Sequence, residues 1–397
     1  MIKNENFSDN LIMFISVLSF TLFDREGLIK YFYASQLIFY AYYFIFVFKR
    51  RIKWVNKIKF TKIYLIFLFI CISSIIWTLN QTESFSKVST ILIIYLNIII
   101  TYDFFNKSNT IKPFIFAVIT STYINLLIVL NFLPDSIIYW DQWRFQGTRD
   151  NPNYLGSLQL LSIASAIILK KLFNITSLLR YFITFSIIVS SYLVFLTASK
   201  KGIIFCAILL VYSIVDHLFF SKIDFKKTIL IILITLSIIY FSENLILLKE
   251  IVEIERILYR FTEFFEGEGT STEQRIMYVS EGFGLFIDNP ITGIGIGSLK
   301  SYFGTYSHSN FIELLTGVGF IGFIIFYSIY FNIFLVLSRI KSKIKYFFYI
   351  LLLCLLLMDF TQVTYYYKFS ILSLLFIAFV IENIDILHKN KTNNDNS

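Results

Sequence analysis

The side chains of this 397-residue chain that could act together on an anionic substrate are Arg144, Arg149, Lys200, Lys201, Arg275, His308 and Glu313. His308 is one of only three histidines. It stands at the mouth of a long apolar run, TYSHSNFIELLTGVGFIG (305–322), with Glu313 a little further in. An imidazole exchanges a proton near neutral pH, so His308 is a candidate general base. A carboxylate such as Glu313 inside an apolar span is costly unless it faces a cavity or a partner, and Asp359 has the same status. Arg144 and Arg149 bracket a Gly-Thr turn just before Asn151-Pro152-Asn153, and Lys200 and Lys201 share the tight turn TASKKG. Arg275 falls in the first turn of an expected helix, where a cation opposes the helix dipole. The plainer alternatives are a structural histidine at a helix end and lysines that snorkel at a membrane interface. His217, near a helix end, and His388, in the tail, read as solvated.

Composition decides what must hold these residues. The chain is 57% hydrophobic and 15% charged, against about 45–50% and ~25% in soluble domains. Mean hydropathy is +0.71. Four prolines and fifteen glycines leave room for long helices. The fold class is therefore an all-α polytopic integral membrane protein. A net charge of +9 does not indicate nucleic acid, because the basic residues lie between apolar runs rather than on one soluble face. Cys71, Cys206 and Cys354 lie inside apolar runs without metal-ligand spacing and read as packing residues. No metal site and no cofactor are expected.

Apolar runs near 8–23, 28–48, 61–79, 88–105, 113–133, 154–169, 181–198, 202–220, 228–242, 308–337, 346–361 and 369–387 predict about twelve transmembrane helices, read as one transmembrane domain over 1–397. The first run reads as a retained helix rather than a cleaved signal. With the amino terminus in the cytoplasm, 22 of the 35 lysines and arginines fall inside and 13 outside, in line with the positive-inside rule. Both termini are then cytoplasmic, and the polar tail 388–397 is expected to be disordered.

Residues 243–307 form a long extracytoplasmic loop. Apolar residues from Leu247 to Phe265 recur at three- to four-residue spacing and predict an amphipathic helix over 243–266, suited to resting on the bilayer or the bundle. Ser271 and Gln274 form a capping-box pattern for a second helix near 272–287, ended by Asn289-Pro290. ITGIGIGSLK (291–300) looks like a phosphate-cradling loop but is not G-x-G-x-x-G, so it reads as a flexible or tightly turned approach to the next span. Thr316, Gly317, Gly319 and Gly322 form a small-residue strip suited to close helix packing.

Taken together, these segments resemble the O-antigen ligase and O-antigen polymerase superfamily. RFQGTRDNPNYLG resembles its R-x-x-G…N-P-N-x-x-G segment. TASKKG resembles its S-R-(G/A) turn, with Lys200 or Lys201 where arginine is usual. EQRIMYVSEGFGLFIDNPITGIGIGSLKSY resembles its arginine-bearing helix followed by P-x-x-G-x-G-x-G, and SHSNFIELLTGVGFIG resembles its histidine segment. The resemblance covers roughly 139–325, in the family's order.

It implies a membrane glycosyltransferase whose donor is a glycan on undecaprenyl diphosphate, at the outer face of the bacterial cytoplasmic membrane. Its partners would be the lipid-linked oligosaccharide, the bilayer and other polysaccharide assembly proteins. It further implies His308 as general base, Arg275 and Lys200 or Lys201 as diphosphate ligands, Arg144 and Arg149 in support, and Glu313 orienting His308 or binding sugar. The preferred reading is polymerisation of surface polysaccharide repeat units, of O-antigen or capsule type. The alternative is a ligase that delivers the glycan to a lipid A core or other envelope acceptor. A lipid-linked oligosaccharide transporter fits less well, because its charges belong at mid-bilayer.

Overall fold

A computed structural model of the protein describes residues 6–25, 27–51, 58–108, 110–130, 132, 140–141, 144–220 and 270–395. Its helices are α1 (Phe7–Leu22), α2 (Ile29–Tyr42), α3 (Phe60–Ser74), α4 (Gln81–Lys107), α5 (Ile111–Val129), α6 (Pro152–Leu172), α7 (Ser177–Leu196), α8 (Lys200–Phe220), α9 (Thr270–Asp288), α10 (Leu299–Phe303), α11 (Asn310–Ser338), α12 (Lys345–Asp359) and α13 (Lys368–Asp395). A π-helical turn, Tyr43–Val47, prolongs α2, and a 3₁₀ turn, Ile75–Trp77, prolongs α3. Two-residue strands β1 (Trp140–Asp141) and β2 (Arg144–Phe145) pair antiparallel. Among the described residues, seven helices are long and apolar enough to cross a membrane, so the chain is a multi-pass helical protein. The expected span 228–242 and the amphipathic helix 243–266 lie outside the described residues.

Two compact units are present. One comprises Met1–Ala117, Lys171–Asn174 and Thr270–Ser397; the other comprises Val118–Lys170 and Ile175–Gly269.

In the first unit, local sequence sets the helix starts. The Asn80 side chain accepts the Glu83 N–H at 3.0 Å and caps α4. That start is earlier than the expected 88 and places Lys87 inside the helix. Ser309 caps α11. α9 begins at Thr270, so Ser271 is inside the helix rather than its cap, and Arg275 lies beyond the first turn. The dipole conflict read from the sequence therefore lapses. Asn289-Pro290 does follow the end of α9. The backbone of α13 stays helical through Asp395.

α11 corrects the expectation of one straight span over 308–337. A straight helix would separate Phe311 from Tyr327 by about 24 Å, yet their rings stack with centroids 4.7 Å apart. The reversal occurs at Gly319, with φ 66° and ψ −170°, a conformation essentially confined to glycine. The arm from Asn310 to Val318 therefore doubles back against the arm from Phe320 onward. In a straight helix the Phe320 N–H would bond the Thr316 carbonyl. Here the Thr316 carbonyl accepts the Ile294 N–H at 2.8 Å, and the Phe320 N–H donates to the Pro290 carbonyl at 2.8 Å. The segment ITGIGIG thus replaces the broken helical bond and satisfies both groups. Residues 293–299 are buried. The Ile296 N–H donates to Ser74 Oγ at 3.2 Å, and the Ile296 carbonyl accepts the Ser84 hydroxyl. The glycine segment is a packed wedge against α3, α4 and α11, with these amides committed to protein acceptors rather than to a phosphate.

The corner lowers Asn310 to the level of Tyr327, about 12 Å along the second arm from Gly319. Asn310 holds that position. Its Oδ1 accepts the N–H groups of Thr364 and Tyr365 at 2.9 and 3.0 Å, and its Nδ2 donates to Tyr327 Oη at 3.0 Å and to Asp359 Oδ2 at 3.4 Å. Asp359, fully buried, also accepts from Tyr327 Oη at 3.0 Å and from Thr364 Oγ1 at 2.7 Å. A buried carboxylate is tolerated when so satisfied.

Candidate active site

The turned-in arm presents His308. The segment Thr305–Ser309 descends to the Asn310 anchor, and His308 takes φ +60°, an uncommon backbone for a non-glycine residue. Hydrogen bonds on either side hold it there. Ser307 Oγ donates to the Ser309 carbonyl at 3.0 Å, and the Ser309 N–H donates to Ser307 Oγ at 3.2 Å. The Ser307 N–H donates to Glu313 Oε1 at 2.9 Å. The Tyr306 ring packs on the imidazole with centroids 4.2 Å apart.

Glu313 uses its other oxygen on Lys87, at 3.2 Å. Both groups are buried, with side-chain exposures of 2% and 7%. Lys87 also lies over the Tyr366 ring, 5.1 Å from its centroid. This buried pair ties α4 to the His308 segment, although Glu313 and His308 do not share a helical face. Sequence reading missed Lys87, because it lies just before the expected span. The capping pattern Asn80-x-x-Glu83 is the signal that would have extended α4 to include it. Breaking one member of a buried pair strands the other charge. Lys87→Met or Glu313→Gln alone is expected to destabilise the protein by about 3–5 kcal/mol, with partial recovery in the double variant. Heat unfolding of the purified protein in detergent reads this directly. Single variants as stable as wild type would remove the pair from this role.

Arg275 reaches the same neighbourhood from α9. α9 packs on the first arm of α11, where Gly282 lies close against Ile312, and Tyr278 packs on Phe303 at 4.9 Å. Burial pushes the Tyr306 phenol pKa up; the Arg275 charge opposes that rise and Glu313 adds to it. Arg275 thus acts electrostatically on the residue that touches His308, while its own side chain is exposed. A cavity of about 120 Å³ lies alongside, lined by Glu83, Lys87, Lys300, Thr305, Tyr306 and Tyr366 among others.

The second unit carries the other cations. Asn151 Oδ1 accepts the Asn153 N–H at 2.8 Å and Pro152 takes the first helical position, so the Asn-Pro-Asn segment starts α6. Asn153 Oδ1 then accepts from Arg144 Nη2 at 3.2 Å and from Ser199 Oγ at 2.9 Å. Arg144 Nε donates to the Thr197 carbonyl at 3.0 Å. Ser199 Oγ accepts the Gly202 N–H at 3.3 Å and caps α8. Lys200 and Lys201 are thereby the first two residues of α8, both half-buried. Their charges stand at a helix N-terminus, an end that favours anions. Arg149 is buried, at 1% exposure, and its N–H closes the turn onto the Gln146 carbonyl at 3.0 Å. The structure therefore brings His308, Glu313 and Arg275 together in one unit, and Arg144, Lys200 and Lys201 together in the other.

A comparison with curated proteins gives no match. Residues 185–327 match the family model described as O-antigen ligase, a stretch that holds Lys200, Lys201, Arg275, His308 and Glu313. That match, over a little more than a third of the chain, supports the resemblance to the O-antigen ligase and polymerase-like superfamily.

Proposed function

We propose that the protein polymerises surface polysaccharide repeat units at the outer face of the bacterial cytoplasmic membrane. The donor is the growing glycan on undecaprenyl diphosphate, and the acceptor is a lipid-linked repeat unit. His308 takes the proton from the acceptor hydroxyl. That oxygen forms the new bond to the anomeric carbon while the bond from that carbon to the diphosphate oxygen breaks. The electron pair leaves with undecaprenyl diphosphate. Charge grows on the leaving diphosphate, and fixed cations oppose it. Arg275 fills that role, with bidentate geometry available to its guanidinium. In the second unit, Lys200 and Lys201 bind donor phosphate as point charges. Arg144 positions their turn through Thr197 and Asn153, and Arg149 supports the preceding turn. Both termini are cytoplasmic, as the charge asymmetry of the loops requires.

The observation that carries this reading is the imidazole of His308, carried at positive φ on the turned-in segment between Ser307, which donates to Glu313, and the Asn310 anchor. The test is the lipid-linked glycan profile of cells lacking the protein, complemented by wild type or by His308→Ala. Accumulation of single repeat units, relieved only by wild type, is the expected result. Long lipid-linked chains that never reach their final acceptor would make the protein a ligase.

A further inference from the structure

The cavity beside His308 has a lining that points to a definite ligand chemistry. It carries two lysines, which would suit an anion if they were free. Lys300, however, pairs with Glu83 at 2.8 Å, and Lys87 pairs with Glu313 at 3.2 Å. The four charges cancel. What remains is a wall rich in hydrogen-bonding groups with two phenol rings, Tyr306 and Tyr366. Aromatic faces combined with fixed donors and acceptors suit a ring that is apolar on its faces and hydroxylated at its edge. The volume of about 120 Å³ is of the order of the ~150 Å³ cavity that takes up a six-membered ring.

Position adds a second argument. Tyr306 lines the cavity and also packs on the His308 imidazole at 4.2 Å, so one side chain separates the cavity from the proposed base. We propose that this cavity is the subsite for a neutral pyranose of the acceptor glycan, seated against Tyr306 and Tyr366 and held at its hydroxyls by the Glu83–Lys300 and Lys87–Glu313 pairs. The acceptor assignment rests on the glycosyl-transfer reading above; the sugar-binding chemistry does not.

The test uses the full chain in lipid nanodiscs and saturation-transfer NMR with methyl glycosides of glucose, galactose and N-acetylglucosamine. Inorganic pyrophosphate serves as the competing anion. At least one neutral glycoside should bind wild type, with affinity falling about tenfold, a loss typical of one good polar or stacking contact, in Tyr366→Ala and in Lys300→Ala. Lys300 is 51% exposed at its side chain, so its variant tests the site without disturbing the core. Pyrophosphate should not displace the sugar. In a transfer assay, the same variants should raise the KM for the acceptor while the KM for the donor stays unchanged. Absence of glycoside binding, binding indifferent to both substitutions, displacement by pyrophosphate, or a rise in donor KM instead would each overturn the proposal. Glycoside binding that follows these variants in a protein with no transfer activity would overturn the transferase reading and leave the sugar site standing.

Discussion

Replacing His308 is expected to lower glycan transfer by about 10²–10⁴-fold, the usual contribution of a positioned general base. Two substitutions separate chemistry from folding. His308→Asn removes the base but keeps a residue that tolerates the left-handed backbone recorded at φ +60°. His308→Gly removes the base and relieves that backbone. Both proteins should accumulate to wild-type levels and bind lipid-linked glycan, and both should be nearly inactive. The measurement is single-turnover transfer from an undecaprenyl diphosphate donor to a lipid-linked acceptor with purified protein. Transfer by His308→Asn within about threefold of wild type would remove the proton-transfer role, since that is far below the base contribution.

The second large effect is expected at Gly319. Alanine there must adopt a backbone conformation open essentially only to glycine, at a strain of order 1–3 kcal/mol. Its methyl group would also meet the Ile291 carbonyl, which belongs to the wedge that replaces the broken helical hydrogen bond. The atoms it would meet belong to the backbone of Ile291 and Thr292 rather than to the loose end of a side chain, so the backbone itself must shift. Gly319→Ala should therefore cost both stability and activity, because the arm it turns carries Asn310 and Glu313 and leads back to His308. Gly284→Ala is the control. Gly284 lies within α9, and an added methyl meets nothing within 4 Å, so this change should be neutral or stabilising by up to ~1 kcal/mol. Thermal unfolding of the two variants in detergent gives the comparison. Equal stability of Gly319→Ala and wild type would mean that α11 does not require the reversal.

Much of the architecture is legible in the chain because a bilayer leaves few choices. Backbone groups in an apolar medium must be satisfied within the segment, so an apolar run of sufficient length becomes a helix. Residues 152–172, 177–196 and 368–387 follow that rule closely. A short-range signal also worked at Asn289-Pro290, which follows α9 as read, whereas the capping pattern at Ser271 did not mark the helix start. The chain likewise marked His308 and Glu313 as unusual, because a charge or imidazole beside an apolar run demands an explanation on local grounds alone; the local ground for Arg275, a cation in a first helical turn, did not hold.

Tertiary structure decided what those residues touch. Lys87 and Glu313 are 226 positions apart, and hydropathy places each merely near a helix end. Only the packing of α4 against the turned-in arm makes them a buried pair. Gly319 reads as one small residue in a packing strip, and its reversal depends on amide and carbonyl partners supplied by Pro290–Ile294, which no periodicity encodes. Composition and hydropathy determined that the chain forms helices suited to a bilayer, since desolvation of the backbone acts residue by residue. Where His308 is held was decided by hydrogen bonds and ion pairs between distant segments, whose energies exist only once the helices have packed.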